Sequence, residues 1–179
     1  VQSHQSFFFK GVLSMLHLLL RRLDKKLSFA TASAHCDIPC KIYDPITAQV
    51  AALSVIRLTD LLLELGDKDS LSLSQQAQLS RLVREKEIHA EKVKAEVRVI
   101  WGDYFKAPQF ETFPDTHELV HKIMLAGSAC KQHVDRQKGL ELLQLVNQFA
   151  GYFWQTKGVA TKTTTCPYPP SEDVLYPDL

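Results

Sequence analysis

Apolar residues recur at intervals of three and four in four separate stretches of the chain after residue 44. This spacing predicts amphipathic α-helices, because about 3.6 residues per turn bring such positions onto one face of a helix. No stretch alternates between apolar and polar residues with a period of two, so no sheet is predicted. Four helices that each carry one apolar face bury those faces best against one another. We therefore predict an all-α fold, an up-and-down four-helix bundle.

Local signals at the helix ends set the predicted boundaries. Asp44-Pro45 combines a capping carboxylate with proline at the first helical position. This pair predicts a first helix over residues 45–65, and Gly66 is its stop signal. The other predicted helices are a second from residues 70–74 to near Pro108, a third from Pro114 and a fourth from about Asp135.

Residues 1–34 differ in composition from the rest of the chain. They carry five basic side chains and one acidic side chain, and they end in the small residues Ala32-Ser33-Ala34. A basic, leucine-rich segment that ends in this way is typical of a targeting peptide cleaved directly before His35. An ordinary surface helix and translated upstream sequence are the alternatives. We predict a cleavable extension over 1–34, a bundle domain over 35–157 and an extended tail over 158–179.

The predicted location depends on this extension. A transit peptide would direct the chain to an organelle, a plastid or a mitochondrion, and a chain without one would stay in the cytoplasm. The apolar run at residues 7–20 is too short and too interrupted to predict stable membrane insertion. With 21 basic and 20 acidic side chains, the chain has a net charge of +1, which does not favour binding to nucleic acid.

One short segment, His35-Cys36-Asp37-Ile38-Pro39-Cys40, carries the donors for metal chemistry. If the chain began at His35, that residue would offer its amine and its imidazole. Cys36 would add an amide nitrogen and a thiolate, and Cys40 a second thiolate. Two nitrogens and two thiolates in a plane suit Ni(II) or Cu(II). The spacing alone leaves open a buried thiol pair, a dithiol redox site or half of a zinc site.

Three blocks of this sequence resemble the nickel superoxide dismutase family. The segment from His35 to Pro45 is similar to the family pattern H-C-D-x-P-C-x-x-Y-D-P. Residues 99–106 resemble its W-x-D-Y-F-K-x-P segment, and residues 153–157 resemble its F-W-E-T-K ending. The resemblance implies a four-helix bundle with an N-terminal metal-binding hook, residues 35–40, and assembly as a homohexamer.

The resemblance also implies an activity and a ligand set. The expected reaction converts two superoxide radicals and two protons to oxygen and hydrogen peroxide, as one nickel ion per subunit cycles between Ni(III) and Ni(II). The implied ligands are the amine and axial imidazole of His35, the amide nitrogen and thiolate of Cys36, and the thiolate of Cys40. The alternative is an inactive helical-bundle homologue or a metal-binding or dithiol protein in which the extension is never removed.

Further site residues follow from the same blocks. Tyr43 falls where the family has the tyrosine that guards access to the nickel. Asp37 and Pro39 fall on positions that shape the hook, and proline is suited to this because its ring fixes the backbone. By the same resemblance, Tyr43 and Asp37 are the candidate catalytic residues. Tyr104 and Lys106 are expected to line the approach of the anionic substrate. For these last two, a packed aromatic and a solvated lysine are the alternative.

The sequence departs from the family at two positions. The glutamate that steadies the axial imidazole falls on Ala51, and its arginine partner falls on His89. The joint loss avoids a single stranded charge, which would be the costly outcome. It puts in doubt how firmly the axial ligand is held, because groups behind a metal-bound histidine orient the ring.

Other potential metal ligands are scattered along the bundle. His117 and His121 are one helical turn apart, but His133 is not placed to complete a site with them, so all three are predicted to be surface or interface residues. Cys130 and Cys166 are predicted to be free thiols.

Overall fold

The computed structural model describes residues 41–66 and 70–179. The predicted extension over residues 1–34 and the hook over residues 35–40 lie outside the described residues, so both stay predictions. The described helices are α1 Ile46–Gly66, α2 Leu73–Val99 with a π-helical continuation Ile100–Tyr104, α3 Ala107–Thr112, α4 Thr116–Gln132 and α5 Arg136–Thr156. The strands are β1 Thr161–Thr165 and β2 Asp173–Pro177.

Four long helices form the bundle that the sequence predicted. Helix α1 packs against α2 and α5, and α4 packs against the same two helices, so that each helix has two neighbours. The apolar faces meet in one core, where Val93, Ile123, Phe149 and Phe153 are completely buried. The all-α bundle is thus confirmed. Helix α1 has the length and apolar composition of a membrane span, and ten of its residues are buried inside this bundle.

Side chains cap three of the helices as the sequence indicates. The Ile46 amide donates to Asp44 Oδ1 at 2.8 Å before α1, and the Gln137 amide donates to Asp135 Oδ1 at 2.9 Å before α5. Ser72 and Gln75 form a reciprocal capping box at the start of α2. These bonds satisfy amides that have no partner within the helix.

The connection between the second and third long helices differs from the prediction. Pro108 was expected to mark a turn, but it lies in the first turn of the short helix α3. Proline is tolerated there because an amide in the first turn has no helical partner to lose. Helix α4 then begins at Thr116 instead of at Pro114.

The C-terminal segment, predicted as an extended tail, forms a β-hairpin. Strands β1 and β2 are antiparallel, with Thr161 opposite Pro177 and Thr165 opposite Asp173. The hairpin is fastened to the bundle through buried Val174 and through Gln49 of α1, whose Nε2 donates to the Leu175 carbonyl at 2.8 Å. The threonine run fits a strand because β-branched residues suit extended backbone. The strand that pairs with it lies beyond a separate loop, so local periodicity did not reveal the sheet.

Candidate functional site

Tyr43 is the first predicted site residue that the structure describes, three residues after Cys40. Its half-buried side chain packs against the core, and its ring lies 5.8 Å from the ring of Tyr104, measured between centroids. Two residues predicted from separate motifs are therefore neighbours in the fold. In the sequence, Tyr43 follows the last residue of the predicted hook by three positions.

A π-helical turn sets the position of Tyr104. The Phe105 amide donates to the Ile100 carbonyl at 3.2 Å, which closes a turn wider than that of an α-helix. Phe105 is buried in the core, while Tyr104 is half-buried with its ring 4.9 Å from that of Phe153. Such turns are frequent at functional sites, and the hydrophobic period of the sequence does not reveal them.

The Tyr104 hydroxyl has a defined hydrogen-bond direction. Its oxygen is 2.6 Å from Thr156 Oγ1, and Thr156 Oγ1 donates its own hydrogen to the Phe153 carbonyl at 2.6 Å. A hydroxyl has one hydrogen, so in this arrangement Tyr104 donates and Thr156 accepts. The phenol proton of Tyr104 therefore points into the protein, and its oxygen is left as an acceptor.

Two lysines lie in the motif blocks near Tyr104. Lys157 Nζ is 4.5 Å from the centroid of the Tyr104 ring. Lys106 is exposed, and its Nζ donates to the Gly102 carbonyl at 2.9 Å. The approach role of Lys106 stays a prediction. Sequence reasoning did not single out Lys157, although it closes the third motif block.

The two positions that depart from the family have different surroundings. Ala51 is buried in the core, with an exposed fraction of 1%. His89 is half-buried, and its Nδ1 is buried without a hydrogen-bond partner among the described residues. His89 also lines a cavity of about 360 Å³ together with Arg57 of α1 and Tyr168 of the loop between the strands. Position 51 thus offers no polar atom, whereas His89 offers a ring nitrogen.

The potential metal ligands of the described residues can be compared with those that the sequence places in the hook. Among residues 41–66 and 70–179, no group of three or more His, Cys, Asp or Glu side chains could hold a metal ion. His117 Nδ1 accepts a hydrogen bond from Trp101 Nε1 at 3.0 Å, and the His117 ring stacks on Phe110. Burial raises the pKa of the Cys130 thiol to about 11, which keeps it protonated. The thiol, amide and imidazole groups in the sequence of residues 35–40 are of a kind that suits nickel, and their role as ligands stays a prediction.

The comparisons with known proteins agree on one class, a helical-bundle metalloenzyme. Residues 30–157 match the sequence profile of the family described as nickel-containing superoxide dismutase. The superoxide dismutase [Ni] of Streptomyces coelicolor is 38% identical over 127 residues, which cover 71% of this chain and 91% of that protein. The corresponding protein of Streptomyces seoulensis is 38% identical over 125 residues, or 70% of this chain and 89% of that one.

A solved structure supports the same assignment. The native structure of a nickel superoxide dismutase matches with a TM-score of 0.60 and 36% identity, covering 69% of this chain and 99% of that chain. The chain therefore belongs to the nickel-containing superoxide dismutases. It is a nickel-dependent oxidoreductase, and the resemblance seen in the three sequence blocks is confirmed. The profile match ends at Lys157, so the β1–β2 hairpin lies beyond it.

Proposed function

We propose that this chain disproportionates superoxide at a nickel ion held by His35, Cys36 and Cys40, once cleavage has exposed the amine of His35. The observation that supports this most directly is the meeting of Tyr43 and Tyr104 immediately downstream of the hook. Solved relatives include variants in which the first-residue histidine, the third-residue aspartate or the ninth-residue tyrosine is replaced. Counted from His35, these residues correspond to His35, Asp37 and Tyr43.

The chemistry divides between the metal and the protein. A nickel ion held by His35, Cys36 and Cys40 would supply one-electron redox chemistry, by which one superoxide would be oxidised to oxygen and a second, with two protons, would be reduced to hydrogen peroxide. The protein must supply anionic sulfur donors, because thiolates stabilise an oxidised metal better than neutral ligands do. Cleavage before His35 is needed because the proposed ligand is a neutral amine. Within a peptide bond the same nitrogen is an amide, which would have to lose its proton before it could bind the metal and would then add a negative charge to the site.

Two described tyrosines bear on the proposed approach of superoxide. The ring centroids of Tyr43 and Tyr104 are 5.8 Å apart, and Tyr104 is held at its hydroxyl by Thr156. We expect this aromatic pair to border the approach of the substrate, as the family resemblance implies. We include assembly as a homohexamer and delivery to an organelle in this proposal, on the basis of the family resemblance and the composition of residues 1–34.

The decisive experiment compares three forms that differ at the amino terminus: the full chain, a chain that begins at His35 and a matched control that begins at Ala34. Only the form that begins at His35 is expected to bind one nickel ion per chain and to accelerate superoxide decay. The Ala34 form retains every side chain of the site and lacks only the free amine of His35. Equal nickel content and equal activity in the His35 and Ala34 forms would contradict the proposed ligand set. A His35 form that binds nickel without activity would favour an inactive homologue.

A further inference from the structure

Two side-chain amides, Gln49 of α1 and Asn147 of α5, lie between the bundle and strand β2 and are called the amide pair below. Gln49 is buried, with an exposed fraction of 1%, and its Nε2 donates to Asn147 Oδ1 at 2.9 Å and to the Leu175 carbonyl at 2.8 Å. The Leu175 amide donates to Asn147 Oδ1 at 3.3 Å, and Asn147 Nδ2 donates to the Asp173 carbonyl at 2.9 Å. The amide pair therefore binds three backbone groups of β2.

These three backbone groups belong to one edge of β2. Successive residues of a strand direct their amides and carbonyls alternately to opposite sides, so residues two apart share an edge. Just before β2, the Glu172 carbonyl accepts from the Cys166 amide at 2.9 Å. Just after it, the Asp178 amide donates to the Ala160 carbonyl at 2.8 Å. The residues that bond on the β1 side thus alternate with those that the amide pair binds, and the amide pair takes the place of a neighbouring strand on the other edge.

Side chains add selectivity to this backbone contact. Val174, which lies between the two residues bound by the amide pair, is completely buried. Arg136 of α5 forms ion pairs with Asp60 of α1 and with Glu172, the residue before β2. A segment that fits here is extended, presents one free backbone edge, and carries an acidic residue two positions before a buried apolar one.

We propose that the amide pair is a binding site for an extended peptide of this pattern, and that the chain's own β2 is its occupant. The linker from Thr156 to Thr161 has four residues, which reach roughly 14 Å when extended. So short a tether gives β2 a high effective concentration beside the site of its own chain. The site therefore prefers its own strand to that of a second copy, and β2 straps the start of α1 to α5.

The first test asks whether the amide pair, and not apolar packing alone, holds the hairpin. In the full chain, Gln49→Met nearly keeps the side-chain size and removes its donors, so the hairpin amides should exchange with solvent about tenfold faster while the helical amides keep their wild-type rates. Asn147→Leu should act in the same way. Asn147→Asp keeps the acceptor and loses the donor to Asp173, so its effect should be intermediate. Gln148→Met is the matched control, because Gln148 is an exposed amide of α5 that bonds to Tyr152.

Hydrogen exchange followed by NMR measures these rates. The control should leave the exchange of the hairpin unchanged. Wild-type exchange of the hairpin in both Gln49→Met and Asn147→Leu would overturn the proposal, because the packing of Val174 would then suffice to hold the strand.

The second test asks whether the site accepts the strand as a separate peptide. Val174→Asp should release the hairpin of the full chain, because it places a charge at a buried position. A synthetic peptide of residues 158–179 should then bind this variant in isothermal titration, and about tenfold more weakly once Gln49→Met is added. The wild-type chain, with its own β2 in place, should not bind the peptide.

Two results of the titration would overturn the proposal. One is a peptide that does not bind to Val174→Asp. The other is equal binding with and without Gln49→Met, which would mean that the amide pair does not recognise the strand. Both tests are made without nickel and superoxide, so their failure would leave the proposed function untouched.

Discussion

Lys86 on α2 and Lys157 beside the π-helical end of that helix have opposite surroundings. Lys86 is buried, with an exposed fraction of 1%, whereas Lys157 is exposed over aromatic rings. The Lys86 ammonium donates to the carbonyl oxygens of Cys130, Lys131 and His133 at the end of α4. One lysine stabilises the fold from within, and the other presents its charge at the candidate site.

The difference follows from what surrounds each charge. The last carbonyls of a helix lack partners within it and carry partial negative charge, so a buried ammonium can satisfy several of them at once. Burial lowers the pKa of Lys86, because desolvation penalises the charged form. All its donors are used inside the protein, which leaves none for a substrate. A charged side chain near the core is therefore a candidate for function only if its hydrogen-bond donors or acceptors are not all engaged by neighbouring protein groups.

The largest expected effect separates the two pairs of cysteines. Cys36→Ser or Cys40→Ser should abolish nickel binding and superoxide decay, because a hydroxyl stays protonated and is a poor substitute for a thiolate. Cys130→Ser and Cys166→Ser should keep both, since Cys130 is buried in the bundle and Cys166 is buried at the start of the loop between β1 and β2. Nickel content and superoxide decay are measured on each folded variant. Loss of nickel in Cys130→Ser or Cys166→Ser would show that the ligands had been assigned to the wrong cysteines.

A second prediction concerns the buried lysine itself. Lys86→Met should lower the free energy of unfolding by roughly 3 kcal/mol, because three carbonyl acceptors at the end of α4 lose a charged donor. Urea unfolding measures the loss. Lys157→Met, at an exposed site, should cost about 1 kcal/mol or less. If Lys86→Met were neutral, or if it reduced activity per folded molecule, the contrast between the two lysines would not hold.

A third prediction concerns the reactivity of Cys130, whose thiol is buried in the core of the bundle. Its pKa is raised from 9.0 to about 11, with desolvation as the main cause, so at pH 8 the native thiol has about a hundredfold less thiolate than an unperturbed one. Alkylation by iodoacetamide should slow by at least that factor in the native protein and recover in urea. Mass spectrometry of the labelled peptide identifies the site. Rapid native labelling of Cys130 would show that this part of the core is open to solvent.

The smallest expected effect concerns the two positions that depart from the family. Ala51→Glu alone should destabilise the protein, because it places a carboxylate at a buried core position while the expected arginine is replaced by His89. Ala51→Glu combined with His89→Arg should recover part of the loss, with a coupling of about 1 to 2 kcal/mol. A double-mutant cycle of urea unfolding measures this coupling. The double variant should also gain superoxide activity beyond the sum of the two single variants. Purely additive effects would mean that these positions do not face each other.

Much of the fold could be predicted from local signals. Each long helix carries its own apolar period, and Asp44, Ser72 and Asp135 form caps from residues within three positions of the amides they satisfy. The motif blocks likewise placed Tyr43 and Tyr104 at one site, and the structure brings their rings together. The hook ligands stay a prediction from sequence, because residues 35–40 lie outside the described part of the chain.

The sequence by itself determined the helical periods, the caps and the family, because these depend on residues close together in the chain or on short motifs. Only the tertiary structure decided the π-helical turn before Phe105, the pairing of β1 with β2 and the contact of Lys157 with Tyr104. Each of these depends on residues that are distant in sequence or on a hydrogen bond that shifts by one position without changing the apolar pattern. Exposure and partners, which distinguish Lys157 from Lys86, are set by packing, and no local pattern records them.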